Sequence, residues 1–282
     1  MKNQKIGILI IIIGIIILSY PVIANIIASH SRSTVISNYQ EQVQQMTEEE
    51  IEQTKEKAKQ YNESLMDEDE ISIDLNNTSQ GTSYLNVLDV GKVIGYISIP
   101  ELDIYLPIYH GTNDDVLQSG VGHVENTSFP IGEKGTHAVL AGHTGLVRTK
   151  IFDDIDKMEI GDKFYIHILN EKYAYKVDQI KVVEPDDNQY VGIEKEGEYV
   201  TLLTCTPYGI NSHRLLVRGT RIELSENEEK QTENFVEQKV NSNNQTYEYK
   251  NIMIVILIFI VLIIFIIKII KKNRGNQWKE KH

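Results

Sequence analysis

One cysteine, Cys205, stands alone in a chain of 282 residues. A lone thiol excludes a disulfide within the chain and any zinc site built from several cysteines. Basic residues are also scarce: 28 Lys and Arg face 40 Asp and Glu, a net charge of −12. That balance argues against DNA or RNA as the main partner, because nucleic-acid affinity comes largely from Lys and Arg on phosphates. Residues 6–29 lack charge altogether, and residues 33–66 lack both proline and glycine. No internal repeat is visible. The average content, 41% hydrophobic and 24% charged, looks like that of a soluble protein. The averages hide an uneven chain.

The uncharged run 6–29 is almost pure isoleucine at its start, and is long enough to cross a hydrocarbon core of about 30 Å as a helix. A cleaved signal peptide is the rival reading. Its apolar region would be unusually long, and Ile26-Ile27-Ala28 is a poor small-x-small cleavage site. An uncleaved anchor is expected. A second apolar run, 252–267, ends in the basic cluster Lys268, Lys271, Lys272 and Arg274. A buried core helix would not end so, and a second span is expected. Lys2 and Lys5 precede the first run. Both ends are therefore expected in the cytoplasm, with the residues between outside the cell. Setting aside those two lysines, and six basic residues and Glu280 after the second run, leaves 20 basic and 39 acidic residues outside, near −19.

Residues 33–66 place Val43, Met46, Ala58, Tyr61 and Leu65 at steps of three, four or seven, as in an amphipathic helix. A solvated helical stalk fits the same pattern. The sequence then divides into a cytoplasmic tip and signal anchor (1–29), a helical stalk with a lid or linker (30–83), a compact domain (84–223), an acidic flexible tether (224–250), and a C-terminal transmembrane helix with a basic tail (251–282). In the compact domain, β-rich runs follow one another at 93–99, 104–109, 121–124, 138–141, 163–169, 173–183, 199–204 and 215–222. Gly and Pro punctuate them, as in a β-barrel or sandwich. Short helices are expected at 113–118 and 149–157.

Cys205 follows the run 199–204, and Pro207 stops the strand just beyond it. A lone extracellular cysteine is a buried apolar residue, an intermolecular disulfide or a reactive thiol. A thiol of pKa about 8.5 needs a neighbouring imidazole or guanidinium to raise its thiolate fraction. His110, His123, His137, His143, His167 and His213 are the candidates. His143 stands out, because Gly142 and Gly145 flank it where a strand runs into a turn and let a substrate backbone approach. Arg214 opens the next apolar run, nine residues after the cysteine, and a hairpin return would bring it alongside Cys205.

Thr201-Leu202-Leu203-Thr204-Cys205 matches the Thr-Leu-x-Thr-Cys signature of sortases. Thr206-Pro207-Tyr208-Gly209-Ile210-Asn211 then leads to Arg214, and Gly142-His143-Thr144-Gly145 resembles the turn that holds the sortase histidine. The segments 105–111 and 121–123 resemble the early barrel. The resemblance covers residues 85–222. It implies a mainly β fold, a closed eight-stranded sortase-type barrel with short helices, an N-terminal helical segment and one transmembrane helix at each end. The residues after the cysteine, with the second span, resemble class C, the pilin-polymerising sortases. Such enzymes often carry a lid whose Asp-Pro-aromatic motif plugs the cleft. Here the corresponding stretch supplies Met66, Asp67 and Glu68 as lid candidates, with neither Pro nor an aromatic residue. The lid is absent or plugs the site differently.

Carried over position by position, the resemblance makes Cys205 the nucleophile, His143 the acid and base, and Arg214 the group that holds substrate and steadies the oxyanion. Gly142, Thr204 and Thr206 would line the substrate site. No cofactor and no metal are implied. The implied substrates are pilins or surface proteins bearing a Leu-Pro-x-Thr-Gly-like sorting signal. The acceptor is a pilin lysine amine or a cell-wall precursor. The membrane is the further partner and nucleic acid is not one. A standing Cys–His ion pair and a mainly neutral pair both fit the sequence. A housekeeping enzyme joining proteins to peptidoglycan, a noncatalytic double-anchored scaffold, and a thiol hydrolase are the competing readings.

Overall fold

The computed structural model describes residues 2–66, 82–147 and 149–244. Helix α1 (Lys2–Gln45) is followed by α2 (Glu48–Met66) and a single turn, α3 (Thr82–Leu85). Strands β1 (Gly95–Ile99) and β2 (Ile104–His110) come next, then the short α4 (Asp114–Ser119). The remaining strands are β3 (Val121–His123), β4 (Thr136–Ala141), β5 (Lys163–Ile168), β6 (Glu171–Val183), β7 (Glu198–Thr206) and β8 (His213–Ile222). Helix α5 (Glu226–Asn244) closes the described chain.

The eight strands form a closed barrel in the order β1-β2-β3-β4-β7-β8-β6-β5. Pairings β2–β3 and β4–β7 are parallel, and the others are antiparallel. Side chains alternate across each strand. On β7, Val200 and Leu202 join the main core with Ile97, Ile108, Leu140, Phe164, Ile166 and Val217. Leu203 points the other way, into a smaller cluster with Val139, Ala141, Val183 and Leu216.

The segment expected as one helix over 33–66 is two helices, and neither is a solvated stalk. Thr47 breaks it with a capping box. Its N–H donates to Glu50 Oε2 at 2.8 Å, and its hydroxyl accepts from Glu50 N at 3.2 Å. Ile36, Tyr39 and Val43 of α1 are buried against the barrel, and the Tyr39 hydroxyl donates to Ile94 O at 3.1 Å. On α2, Asn62 forms a reciprocal pair with the Phe129 backbone, at 3.0 and 2.7 Å.

Two expectations are corrected. The flexible tether is helical over Glu226–Asn244. The Glu228 carboxylate accepts from the Ser225 N–H and from the Ser225 hydroxyl at the start of the helix, Lys163 pairs with Glu228, Lys239 pairs with Asp103, and Phe235 and Val236 pack on the core. The acidic, amide-rich composition concealed those anchors. The expected helix over 149–157 is only a single 3-10 turn, Ile155–Lys157. By contrast, α4 lies within one residue of the expected 113–118, and Asn113 caps it by accepting from Val116 N at 3.0 Å. Among the described residues, α1 carries the one stretch long and apolar enough to cross a membrane, within Ile13–Gln45. The expected second span, 252–267, lies outside the described residues.

Candidate active site

Strands β7 and β8 form an antiparallel hairpin whose register pairs Leu203 with Leu216 and Cys205 with Arg214. Register partners share a face, so thiol and guanidinium project to the same side of the sheet. On the other edge of β7, parallel β4 pairs Ala141 with Leu203. The chain leaves β4 at Gly142, whose N–H donates to Leu203 O at 2.9 Å. Its carbonyl accepts from the buried Thr204 hydroxyl at 2.7 Å. Those two bonds place His143, two residues beyond the end of β4, beside the terminus that carries Cys205.

The His143 turn is closed from below. Phe152 N donates to His143 O at 3.0 Å. One Asp153 carboxylate accepts from both Gly145 N and Ile151 N, each at 3.1 Å. Gly145 has φ +80°, and Tyr208 of the β7–β8 connection lies over it. At Gly142 a Cβ would stand 2.6 Å from the Phe152 ring, so glycine is what lets that ring support the turn.

Gly142, His143, Thr204, Cys205 and Arg214 all line one cleft of about 560 Å³. Thr206 does not. It pairs with His213, one residue past the cysteine. Cys205 is half-buried. Arg214 Nη1 donates to the backbone carbonyls of His213 and Asn211, at 3.3 and 3.5 Å. Of the lid candidates, Met66 lies beside Gly135, before β4 begins and so at the far end of that strand from His143. Asp67 and Glu68 lie outside the described residues.

Four of the other candidate histidines are tied into the scaffold. Burial pushes His123 and His167 down to about 3 and His137 down to about 4. His123 stacks on the Phe129 ring with Tyr84 beside both, His167 stacks on Tyr96, and His137 meets Gly192 O and the Thr201 hydroxyl. His110 contacts Val87 O at 2.6 Å. His213 is solvent-accessible, 3.3 Å from Glu184.

Sequence reasoning missed one wall of the cleft, made by Thr112, Asn113, Asp114, Asp115 and Leu117. Parallel strands need a crossover, and α4 is the crossover between β2 and β3. The Asn113 cap was readable, but its position beside Cys205 follows only from the strand order. The cleft thus offers a thiol, an imidazole and a guanidinium together, with two carboxylates at its edge.

A model of the sortase domain matches residues 97–222. Sortase D of Bacillus subtilis (strain 168) is 29% identical over 137 residues, 48% of this chain and 66% of that protein's length. Among solved structures, sortase C of Streptococcus pneumoniae is 46% identical with a TM-score of 0.63, covering 68% of this chain and 97% of that one. Sortase C of Clostridium perfringens, solved with a C-terminal cell wall sorting motif, is also 46% identical, with a TM-score of 0.59 over 68% of this chain and 99% of that one.

Proposed function

The chain belongs to the sortase family, and from that premise we propose that it is a membrane-tethered cysteine transpeptidase of class C that joins pilin subunits. The observation that carries this reading is the meeting of Cys205, His143 and Arg214 in one cleft. In this reading Cys205 Sγ attacks the threonine carbonyl of a Leu-Pro-x-Thr-Gly-like signal. The bond from threonine to glycine breaks, His143 protonates the departing amine, and a thioacyl enzyme remains. An incoming amine then gives its proton to His143, attacks the thioester and releases the thiol. Among the described residues no carboxylate pairs with Arg214, and with Nη1 on backbone carbonyls the rest of its planar fork is left for substrate and the developing oxyanion. Gly142 and Thr204 shape the bottom of the site.

A lysine acceptor is favoured by Asp114 and Asp115 on the cleft wall, whose charge suits an ammonium group. The S. pneumoniae structure is described for its bearing on pilin substrate specificity, and the C. perfringens structure carries a sorting motif. Both support the class C assignment. We place the barrel outside the cell, with the apolar part of α1 and the run 252–267 as its two spans. The test is incubation of the purified chain with a sorting-signal peptide and a lysine-bearing pilin fragment, followed by mass spectrometry. A Thr–Lys isopeptide is expected from the parent and nothing from Cys205→Ala. Cleavage surviving in Cys205→Ala would remove the nucleophile assignment, and hydrolysed peptide alone would remove pilin joining.

A further inference from the structure

We propose that the rim beside the cleft, formed by Val147, Tyr208 and Ile210, rests on the outer leaflet of the membrane that holds α1. This inference depends on the reading of α1 as a membrane anchor. Its first support is the level at which the barrel meets that helix. Residues 6–24 form 19 uncharged positions, about 28 Å of helix at about 1.5 Å per residue. A hydrocarbon core is about 30 Å thick. Asn25 therefore stands where α1 leaves the hydrocarbon.

Asn25 also bonds to the barrel. Its Oδ1 accepts from Lys150 N at 3.4 Å. One and two turns later, Ser29, Arg32 and Ser33 face the same pocket, and the buried Arg32 guanidinium donates to the Thr149 hydroxyl. Thr149 and Lys150 belong to the segment that follows the His143 turn. That segment, and with it the His143 end of the barrel, lies level with the point of exit. Beyond Asn25, the barrel runs alongside α1 through Ile36 and Tyr39, away from the membrane.

The second support is what this end exposes. Val147 is 69% exposed, Tyr208 69% and Ile210 72%. Single exposed apolar side chains are ordinary on a soluble surface. These three stand on two adjoining loops, since the Tyr208 ring lies over Gly145. Tyrosine favours the membrane interface, and the exposed Lys150 can hold its apolar stem low and its ammonium among phosphates. On α1, Val22 and Ile27, just before and after Asn25, are exposed as well. The occupant of the rim is lipid, and the cleft between His143 and Cys205 opens at the bilayer surface.

The full chain, reconstituted into phosphatidylcholine–phosphatidylglycerol vesicles, gives the test. Its sole tryptophan, Trp278, is first removed by Trp278→Phe. In that background Ile210→Trp is compared with Lys134→Trp, which lies before β4 at the other end of the strand from His143. Brominated acyl chains are expected to quench and blue-shift the indole at position 210 and to leave that at 134 unchanged. Equal emission from position 210 in brominated and ordinary vesicles overturns the inference. The chain's resistance to alkaline carbonate extraction is measured alongside. Extraction would show that the anchor reading itself has failed, taking the inference with it. A retained chain with an unquenched indole removes the rim contact alone. A second arm uses Val147→Asp with Ile210→Asp, exposed changes that leave folding nearly untouched. Turnover of a sorting-signal peptide tethered to the vesicle by an acyl chain should fall several-fold, while turnover of the free peptide stays at the parent rate. Equal loss on both peptides would assign the rim to polypeptide binding, and no loss on either would leave it without a role. Both results overturn lipid contact.

Discussion

Cys205 and Arg214 are register partners across the β7–β8 hairpin, which puts their Cβ atoms about 5 Å apart on one face. The hairpin, and not a flexible loop, therefore sets the separation between thiol and guanidinium. Arg214→Ala is expected to lower kcat for peptide cleavage by about 10²–10³, the usual loss when one oxyanion donor is removed. Arg214→Lys keeps the charge but loses the planar fork, and should recover only part of that activity. Steady-state cleavage assays separate the two, and a lysine variant equal to the parent would show that charge alone matters.

Gly142 couples the thiol strand to the histidine turn. Its N–H and carbonyl bond to Leu203 and Thr204, while Phe152 fills the space where a Cβ would go. Gly142→Ala must push that ring aside, and overpacking of this kind costs about 1–3 kcal/mol. Because Phe152 N also holds His143 O, catalysis should fall together with the melting midpoint. Phe152→Leu in the same chain should restore part of both. A double-mutant cycle with no coupling between the two sites would count against this route.

Much of the fold was legible because a barrel strand is short, alternating and bounded by Gly or Pro. The run 199–204 lies inside Glu198–Thr206, and the run 215–222 inside His213–Ile222. The pairing of Arg214 with Cys205 was legible for the same reason, since a hairpin return fixes it. The approach of His143 was not derivable from spacing, because it depends on the parallel pairing of β4 with β7 across a long stretch of sequence. The α4 wall depends in the same way on the parallel β2–β3 pair. Helix α5 was hidden differently: its composition reads as a tether, and its order comes from the bonds of Ser225 to the Glu228 carboxylate and from ion pairs to the barrel. The Ser225 and Glu228 spacing was the available signal.

Asp153 is a positioning residue for His143. Its carboxylate accepts from Gly145 N and Ile151 N and so closes the turn that begins at the histidine. Asp153→Ala removes both bonds. A displacement of about 1 Å at a catalytic group costs about 10²-fold in rate, so the loss is expected in kcat, with KM little changed. Asp153→Asn keeps one acceptor oxygen and should fall between the two. A purely structural role would lower the melting midpoint of both variants without moving kcat at a temperature where they remain folded.

Acid should weaken the barrel before it titrates most carboxylates. Burial holds His123 and His167 at about 3 and His137 at about 4 in the folded chain, whereas an unfolded histidine titrates at about 6.5. Above that value both states are neutral at these positions, and the full stability is present. As pH falls below it, the unfolded chain takes up protons that the folded chain refuses, so stability declines through the window toward the folded values. Each such imidazole contributes a slope of about 1.4 kcal/mol per pH unit once the unfolded form is protonated. Denaturant midpoints measured between pH 6.5 and 5 should therefore fall steadily, in a range where ordinary carboxylates remain ionised. His123 accounts for one of these protons: its ring lies 4.3 Å from Phe129 and its Nε2 sits 2.9 Å from Ser128 O. His123→Gln should reduce the slope by one proton's worth, even though it lowers stability at neutral pH. An unchanged slope in that variant would mean that His123 is protonated within the folded barrel.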